Sequence, residues 1–201
     1  MRYRKISIFV VLALVLSASS LKAESYKVDL DHSTVEFKIR HLFSNVRGHF
    51  EKFEGDFEYA PDKPETWKAR ATIQAGSINT NVAQRDKHLR SADFFDVEKY
   101  PTLTFESTGV TDAAGSSAKL HGLLTIHGVQ KPVVLDLEIH GVGKDPWGNV
   151  RGGFTATAKL NRKDFGLTWN QALETGGVLV GDEVEITIEV EGLLASSETK
   201  Q

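Results

Sequence analysis

Hydrophobic and polar residues alternate along most of the chain, and the alternation is clearest in residues 184–190. There the aliphatic residues from Val184 to Val190 are separated by single polar residues. A period of two is that of a β-strand that turns one face to a core and the other to water. The same period recurs earlier in the chain, at residues 26–30, 35–39, 53–59, 69–73, 103–105, 120–126, 133–139 and 154–160.

Turn-forming residues separate these segments. They lie at residues 61–62, 112–115, 127–128, 145–146 and 176–177. Many antiparallel strands joined by short turns are typical of a sandwich or a barrel. A closed barrel leaves no sheet edge unpaired, and a barrel of about eight strands has room for one ligand.

Residues 81–98 break the strand pattern and predict a short helical insert. Asn81 can cap the first helix, and Ser91 or Asp93 can cap one further turn. The insert ends at Tyr100, because the residue before a proline is pushed out of helical geometry.

The first 23 residues have the layout of a secretory signal peptide. A basic start precedes an apolar run at residues 6–16, and small residues lead to Ala23. Because this run is too short to span a bilayer, we expect cleavage after Ala23 and a periplasmic protein without stable membrane insertion. A retained anchor is the alternative. Residues 24–194 then form one domain, and residues 195–201 form a polar tail that we expect to be disordered.

Composition narrows the classes of partner and chemistry. The chain has no cysteine, which excludes a disulfide scaffold, a thiolate metal site and a catalytic cysteine. Its formal charge is −3, and without the four basic residues of the predicted signal peptide it is about −7. An acidic domain without a basic block argues against nucleic acid as the main partner.

Motifs for catalysis or cofactor binding are weak. No histidine pair has a recognised metal-ligand spacing, and no Gly-x-Ser-x-Gly motif is present. The glycines at Gly141 and Gly143 lack the third glycine and the helix of a dinucleotide site. We therefore expect no metal, no cofactor and no catalytic activity. The alternative is a small periplasmic enzyme that uses His88 and Asp86 as an acid/base pair.

Several stretches, taken in order, resemble the YceI-like family of secreted, lipocalin-like polyisoprenoid-binding proteins. The most specific is RDKHLRS at residues 85–91, followed by DFFD at residues 93–96. The others are Asp29 with HSxVxFxIxH at residues 32–41, YP at 100–101 with Phe105, GLLTIHGV at 122–129 with Pro132, NR at 161–162 with DFGL at 164–167 and Trp169, and VGD at 180–182 with Val184 and Ile186.

The resemblance implies an all-β fold, an extended antiparallel lipocalin-like barrel of about eight strands with the short helical insert near residues 81–98. It implies a long apolar channel that holds a polyisoprenoid or similar long-chain lipid, of quinone or polyprenyl type, for transport, storage or sequestration. The lipid is then the ligand, and a homodimer is expected by analogy only.

Residues predicted to contact the ligand fall into three groups. The walls of the channel are predicted at Phe37, Ile39, Phe53, Phe57, Ile73, Phe105, Leu124, Ile126, Phe154 and Phe165. Leu89, Phe94 and Phe95 of the insert cap or line an opening, and His41, Arg85 and His88 are candidates for contact with a polar head group. Arg90 is expected to pair with Asp93 instead, and Asp86 with Arg85.

Small interior residues leave two possibilities for the barrel interior. They are Gly55, Ala69, Ala71, Gly122, Ala156 and Ala158. These residues either leave an open tube or allow close strand approach in a tapered, filled barrel. A filled barrel would favour a structural or stress-response module instead of a lipid carrier.

Overall fold

The computed structural model describes residues 23–174 and 176–195. Except for Ala23, the predicted signal peptide lies outside the described residues, as does the predicted tail beyond Ala195. The backbone N–H of Ala195 donates to the carbonyl oxygen of Ser25 at 2.8 Å.

The alternating segments fold as β-strands. In chain order the strands are β1 (Glu24–Val28), β2 (Thr34–His41), β3 (Ser44–Phe50), β4 (Phe53–Tyr59), β5 (Lys68–Gln74), β6 (Ile78–Asn79), β7 (Thr102–Ala114), β8 (Ser117–Ile126), β9 (Val129–Lys144), β10 (Val150–Asn161) and β11 (Val180–Leu194). The α-helix α1 spans Ala83–Arg90, and short 3₁₀ turns lie at Leu30–His32, Pro64–Thr66, Ala75–Ser77 and Arg162–Phe165.

Eight of the strands close into a barrel. Their order is β1-β4-β5-β7-β8-β9-β10-β11, and β11 pairs with β1 to complete the ring. All of these pairings are antiparallel. The predicted all-β, lipocalin-like barrel of about eight strands with one short helix is therefore confirmed.

Strand β11 has two different neighbours along one of its edges. Its end, from Gly192 to Leu194, pairs with β1, whereas its earlier residues pair with β2. Strands β3 and β6 continue the sheet outward from β2. The chain changes course between β1 and β2 at Asp29, whose N–H donates to the Glu191 carbonyl oxygen at 2.8 Å. Ser33 exchanges two hydrogen bonds with the backbone of the same glutamate.

The helical insert is fixed by Asp86, not by Asn81. Asn81 has a left-handed φ of 60°, and its N–H donates to the Asn79 side chain, so it does not cap α1. The buried carboxylate of Asp86 accepts the N–H of Thr80 at 2.9 Å and its hydroxyl at 2.5 Å. The predicted cap at Asn81 is thus wrong, because Val82 has the extended backbone of the N-cap position and Asn81 lies one residue before it.

The predicted ion pairs Arg85–Asp86 and Arg90–Asp93 are not formed within the described residues. Arg85 donates to the hydroxyl and carbonyl oxygens of Thr80. Arg90 donates to the carbonyl oxygens of Gly76 and Ile78 at 2.7 and 2.6 Å. Both guanidinium groups therefore satisfy backbone acceptors and hold the insert against the turn that precedes it.

One end of the barrel is filled by aromatic rings. Tyr26 and Phe57 stack with their centroids 4.9 Å apart, and Phe154 meets Phe57 edge-on at 5.1 Å. Tyr59 packs against Phe154 and Trp67 in the same cluster. We call these five residues the aromatic floor. All five are buried, so this end is a packed core.

A cluster around Arg151 fastens the β1–β2 junction to the turn between β9 and β10. Its guanidinium donates to Asp29 at 2.7 Å, to Asp145 at 3.0 Å and to Glu191. Hydrogen bonds from Asn149 and Arg151 lower the pKa of Asp145 to about 2, and Arg151 also lowers the pKa of Asp29. Asp29, His32 and Glu191 are close enough to hold a metal ion, but both carboxylates already accept hydrogen bonds from the Arg151 guanidinium.

Replacing Arg151 with methionine should lower the melting temperature at pH 7, because three carboxylates lose their shared cation. The folded pKa of Asp145 lies below the unfolded value of about 3.9. Its stabilisation is therefore fully present above about pH 4 and is lost as the pH falls towards 2. The gap between wild type and Arg151→Met should narrow over that range in thermal unfolding followed by circular dichroism.

Arg70→Met is the matched control. Arg70 is exposed, and within the described residues it forms one ion pair, with Asp56. It should change the melting temperature little at any pH. Equal melting temperatures for Arg151→Met and wild type at pH 7 would show that the cluster does not stabilise the fold.

Candidate functional site

A cavity of about 640 Å³ occupies the barrel beyond the aromatic floor. Its wall comes from residues of all eleven strands, from the insert, and from the segment after β10. Most of the lining residues are apolar. The volume lies within the range of pockets that hold small-molecule and cofactor ligands.

Most of the residues predicted to contact a ligand line this cavity. On the strands and the turn after β10 these are Phe37, Ile39, His41, Phe53, Ile73, Phe105, Leu124, Ile126 and Phe165, and on the insert they are Arg85, His88, Leu89, Phe94 and Phe95. They meet because inward-facing positions of neighbouring strands stack around one axis. Their contact with a ligand stays a prediction.

Phe57 and Phe154 do not line the cavity. Both face inward, as the alternation indicates, but they lie at the level where β1 closes the barrel. There they form part of the aromatic floor, in contact with Tyr26 and Tyr59. The alternation along a strand shows which face a residue lies on, but not its position along the barrel axis. For this reason the sequence analysis assigned Phe57 and Phe154 to the channel wall.

The small interior residues play different parts at different heights. Gly55 and Ala71 line the cavity. A Cβ at Gly122 would lie 2.3 Å from the ring of Phe105, so this glycine makes room for that ring. Ala156 is buried between Leu120 and Leu135. The barrel is therefore partly filled and partly open.

Other wall residues were not singled out from the sequence. Several share the strand alternation that was used for their neighbours, namely Val35, Leu103, Val133, Leu135, Leu160, Val184, Ile186 and Ile188. Trp169 and Leu179 lie in irregular segments, where no period marks the inward face. Only the fold brings these two to the cavity.

Arg162 holds the segment that carries Phe165, Leu167 and Trp169 to the wall. Its buried guanidinium donates to the carbonyl oxygens of Gly181, Leu167 and Trp169 at 2.8, 2.5 and 2.9 Å. Burial lowers the pKa of this arginine. The Arg162 guanidinium therefore fixes the segment from Phe165 to Trp169, which is not part of a strand, by hydrogen bonds to three carbonyl oxygens.

Three polar residues of the wall, Gln84, Arg85 and His88, lie on the insert, and four others, Glu36, His41, Glu54 and Arg162, lie on other elements. His88 Nε2 lies 2.8 Å from an Asp93 oxygen, and the imidazole packs edge-on against Trp169 and Phe94. Arg85 uses Nε and one terminal nitrogen on Thr80. In the described part of the chain its other terminal nitrogen makes no hydrogen bond, so it is available to a ligand oxygen.

His88 and Asp86 do not form the acid/base pair considered from the sequence. Asp86 is buried against Thr80, and the hydrogen-bond partner of His88 is Asp93. The two side chains have different hydrogen-bond partners and therefore do not form an acid/base pair.

The cavity wall reaches solvent beside the start of α1. Val82 lines the cavity and is 46% exposed, and the neighbouring Gln84 is exposed as well. His41, the last residue of β2, and Leu179, directly before β11, line the same cavity. We call this region the mouth.

Among the described residues, no helix has the length and apolar character needed to cross a membrane.

The fold and the cavity define a closed antiparallel β-barrel built around an apolar chamber. A family model described as the YceI-like domain matches residues 26–192. The chain therefore belongs to the YceI-like family.

Relatives and solved structures agree with this membership. A UPF0312 protein of Pseudomonas aeruginosa is 43% identical over 182 residues, which are 89% of this chain and 92% of the relative. The YceI protein of Campylobacter jejuni is 35% identical with a TM-score of 0.68, over 77% of this chain and 88% of that one. BcnA of Burkholderia cenocepacia is 25% identical with a TM-score of 0.73, over 82% and 98%.

A more distant structure shares the fold. It is a polyisoprenoid binding domain from Saccharophagus degradans, 15% identical with a TM-score of 0.63, covering 86% of this chain and 99% of the domain.

Asp86→Ala should lower the free energy of unfolding by about 2 kcal/mol, because it leaves the buried N–H and hydroxyl of Thr80 without an acceptor. Urea unfolding followed by circular dichroism measures this change. Glu98→Ala, at an exposed position of the same insert, should change it by less than about 0.5 kcal/mol. Equal losses for both variants would contradict the anchoring role of Asp86.

Proposed function

We propose that the protein binds one long-chain lipid of isoprenoid type, such as a quinone or a polyprenyl carrier, in the apolar cavity. The cavity of about 640 Å³ between the aromatic floor and the mouth is the observation that carries this proposal. The lipid is held for transport, storage or sequestration, without a catalytic step.

An apolar chain needs few specific contacts to bind in such a chamber. Each methylene group removed from water contributes about 0.8 kcal/mol. The wall offers apolar surface from most of the strands, while the packed floor closes one end. A ligand with a long tail and a polar end therefore fits with its tail towards the floor and its polar end at the mouth.

The polar groups of the insert suit the head of such a lipid. His88 and Arg85 lie on the cavity wall with Leu89 and Phe94, and His41 lies on the wall at the end of β2. The spare Arg85 nitrogen is a donor for a carbonyl, hydroxyl or phosphate oxygen. Because these residues sit beside the mouth, the head is held where it can also meet water.

Two further observations support this function. The Saccharophagus degradans domain, described as polyisoprenoid binding, shares the barrel. The first 23 residues have the pattern of a signal peptide. We propose that the protein works in the periplasm, where a lipid with a long apolar tail has to be shielded from water between membranes.

The protein purified without detergent from its own host should carry a lipid. Mass spectrometry of an organic extract should find one long-chain isoprenoid or quinone species at near-stoichiometric amount. A protein that stays empty, even after incubation with added quinone, would contradict the carrier function and favour a structural role.

Ala71→Trp should abolish lipid occupancy, because Ala71 lines the cavity opposite Phe105 and Gly55 and an indole would fill the space of the tail. Val46→Trp, nearer the mouth, is a second variant in case the first does not fold. The matched control is Thr72→Trp, whose side chain points to the outer face of the same strand. Normal occupancy in folded Ala71→Trp and Val46→Trp would place the ligand elsewhere.

His88→Ala separates binding from catalysis. In a carrier, the variant should contain the same lipid species as wild type, with occupancy lowered by no more than about tenfold for the loss of one head-group contact. An enzyme would instead accumulate an unconverted species in the variant. A different lipid mass in His88→Ala would therefore contradict the non-catalytic assignment.

A further inference from the structure

The tip of the β2–β3 hairpin is unusually apolar for a tight turn. His41 and Ser44 pair across the hairpin, so Leu42 and Phe43 alone form the turn. Leu42 has a φ of 48°, in the left-handed region where glycine or asparagine is usual. Phe43 is 95% exposed. The geometry of the turn favours neither Leu42 nor Phe43, so the requirements of the turn do not explain why these two residues occur here.

This tip lies directly beside the mouth. The Leu42 N–H donates to the carbonyl oxygen of Leu179 at 3.0 Å, and Leu179 lines the cavity. Val178, the residue before it, is 51% exposed. Val82, directly before α1, is a third exposed apolar residue at the mouth, with Phe43 and Val178. We call these three residues the mouth patch.

Basic side chains surround the mouth patch. The hairpin contains Lys38, Arg40 and Arg47, and its one acidic residue is Glu36 on β2. Lys38 pairs with Glu185, whereas Arg40 and Arg47 are exposed and form no ion pair within the described residues. The positive tip contrasts with the acidic character of the rest of the domain.

The acidic groups near the mouth do not cancel this charge. Asp182 is paired with Lys163 and Arg162, and the Asp86 carboxylate is buried against Thr80. Glu174, in the segment before β11, is the exposed acidic residue closest in sequence to Val178. Glu36 pairs with His49, further from the turn than Arg40 and Arg47, so the basic groups prevail at the tip of the hairpin.

We infer that the mouth patch docks the protein on an anionic lipid bilayer. Phe43 inserts at the level of the headgroups, and Arg40 and Arg47 contact lipid phosphates. This inference rests on the proposed function, because docking places the mouth against the bilayer and lets an apolar tail pass between them without crossing water. Exposed apolar residues flanked by basic ones are the usual means of such interfacial binding.

A second copy of this chain is a poorer occupant of the same surface. A two-fold dimer through the patch would bring the patch of one copy onto that of the other. The basic tips would then face each other with like charges close together, which opposes association. An anionic bilayer satisfies the apolar and the basic residues at once.

Vesicle sedimentation tests the inference with the protein as purified from its host. The vesicles are equal parts phosphatidylglycerol and phosphatidylcholine, compared with phosphatidylcholine alone. Wild type should bind the anionic vesicles more tightly, and about 0.5 M salt should weaken that binding. Phe43→Ser should reduce binding roughly tenfold, and the double variant Arg40→Gln with Arg47→Gln should lose the preference for anionic vesicles.

Trp147→Ser is the matched control. Trp147 is 82% exposed in the turn between β9 and β10, at the opposite end of β10 from the cavity residue Leu160. Its replacement should leave vesicle binding unchanged. Equal losses for Trp147→Ser and Phe43→Ser would overturn the inference, as would a wild type that does not bind the vesicles or a Phe43→Ser variant that binds them normally.

The lipid content of the same samples separates this inference from the proposed function. Lipid-loaded wild type that ignores vesicles overturns docking and leaves the carrier intact. Empty protein that binds vesicles through Phe43 supports docking and contradicts the carrier. Loss of a dimer in Phe43→Ser, with no vesicle binding by wild type, would overturn docking in favour of self-association.

Discussion

The architecture depends on the sharing of one strand edge. Backbone N–H and C=O groups inside a protein have to be paired, and along one edge β11 pairs first with β2 and then with β1. Where β1 takes over, the ring is closed and narrow enough for aromatic rings to fill it. Where β2 takes over, the sheet runs outward into β3 and β6, and the space left open is the cavity.

Polar anchoring groups hold the parts that strand pairing does not reach. Arg151 ties the β1–β2 junction to the β9–β10 turn, Asp86 ties the insert to Thr80, and Arg162 ties the segment after β10 to β11. Each is a charged side chain with several hydrogen bonds, so its polar groups are occupied in holding the chain. The largely apolar wall is thus positioned by a few polar groups at its margins.

The sequence predicted the strands, the barrel and most of the cavity wall, because a period of two is a direct record of which face is buried. It could not predict height along the barrel axis. Phe53 and Phe57 have the same parity, yet one lines the cavity and the other belongs to the aromatic floor. The anchoring roles of Asp86 and Arg162 were hidden for another reason. Each contacts acceptors or donors in irregular segments, at Thr80 and from Leu167 to Trp169, where no period indicates which groups will meet.

The close packing of Gly122 and Phe105 has a consequence for the shape of the cavity. The ring of Phe105 fills the space that a side chain at residue 122 would need, and the same ring forms part of the cavity wall. A larger residue at position 122 would displace this ring. A single exchange at a position that does not itself line the cavity would therefore reshape the chamber.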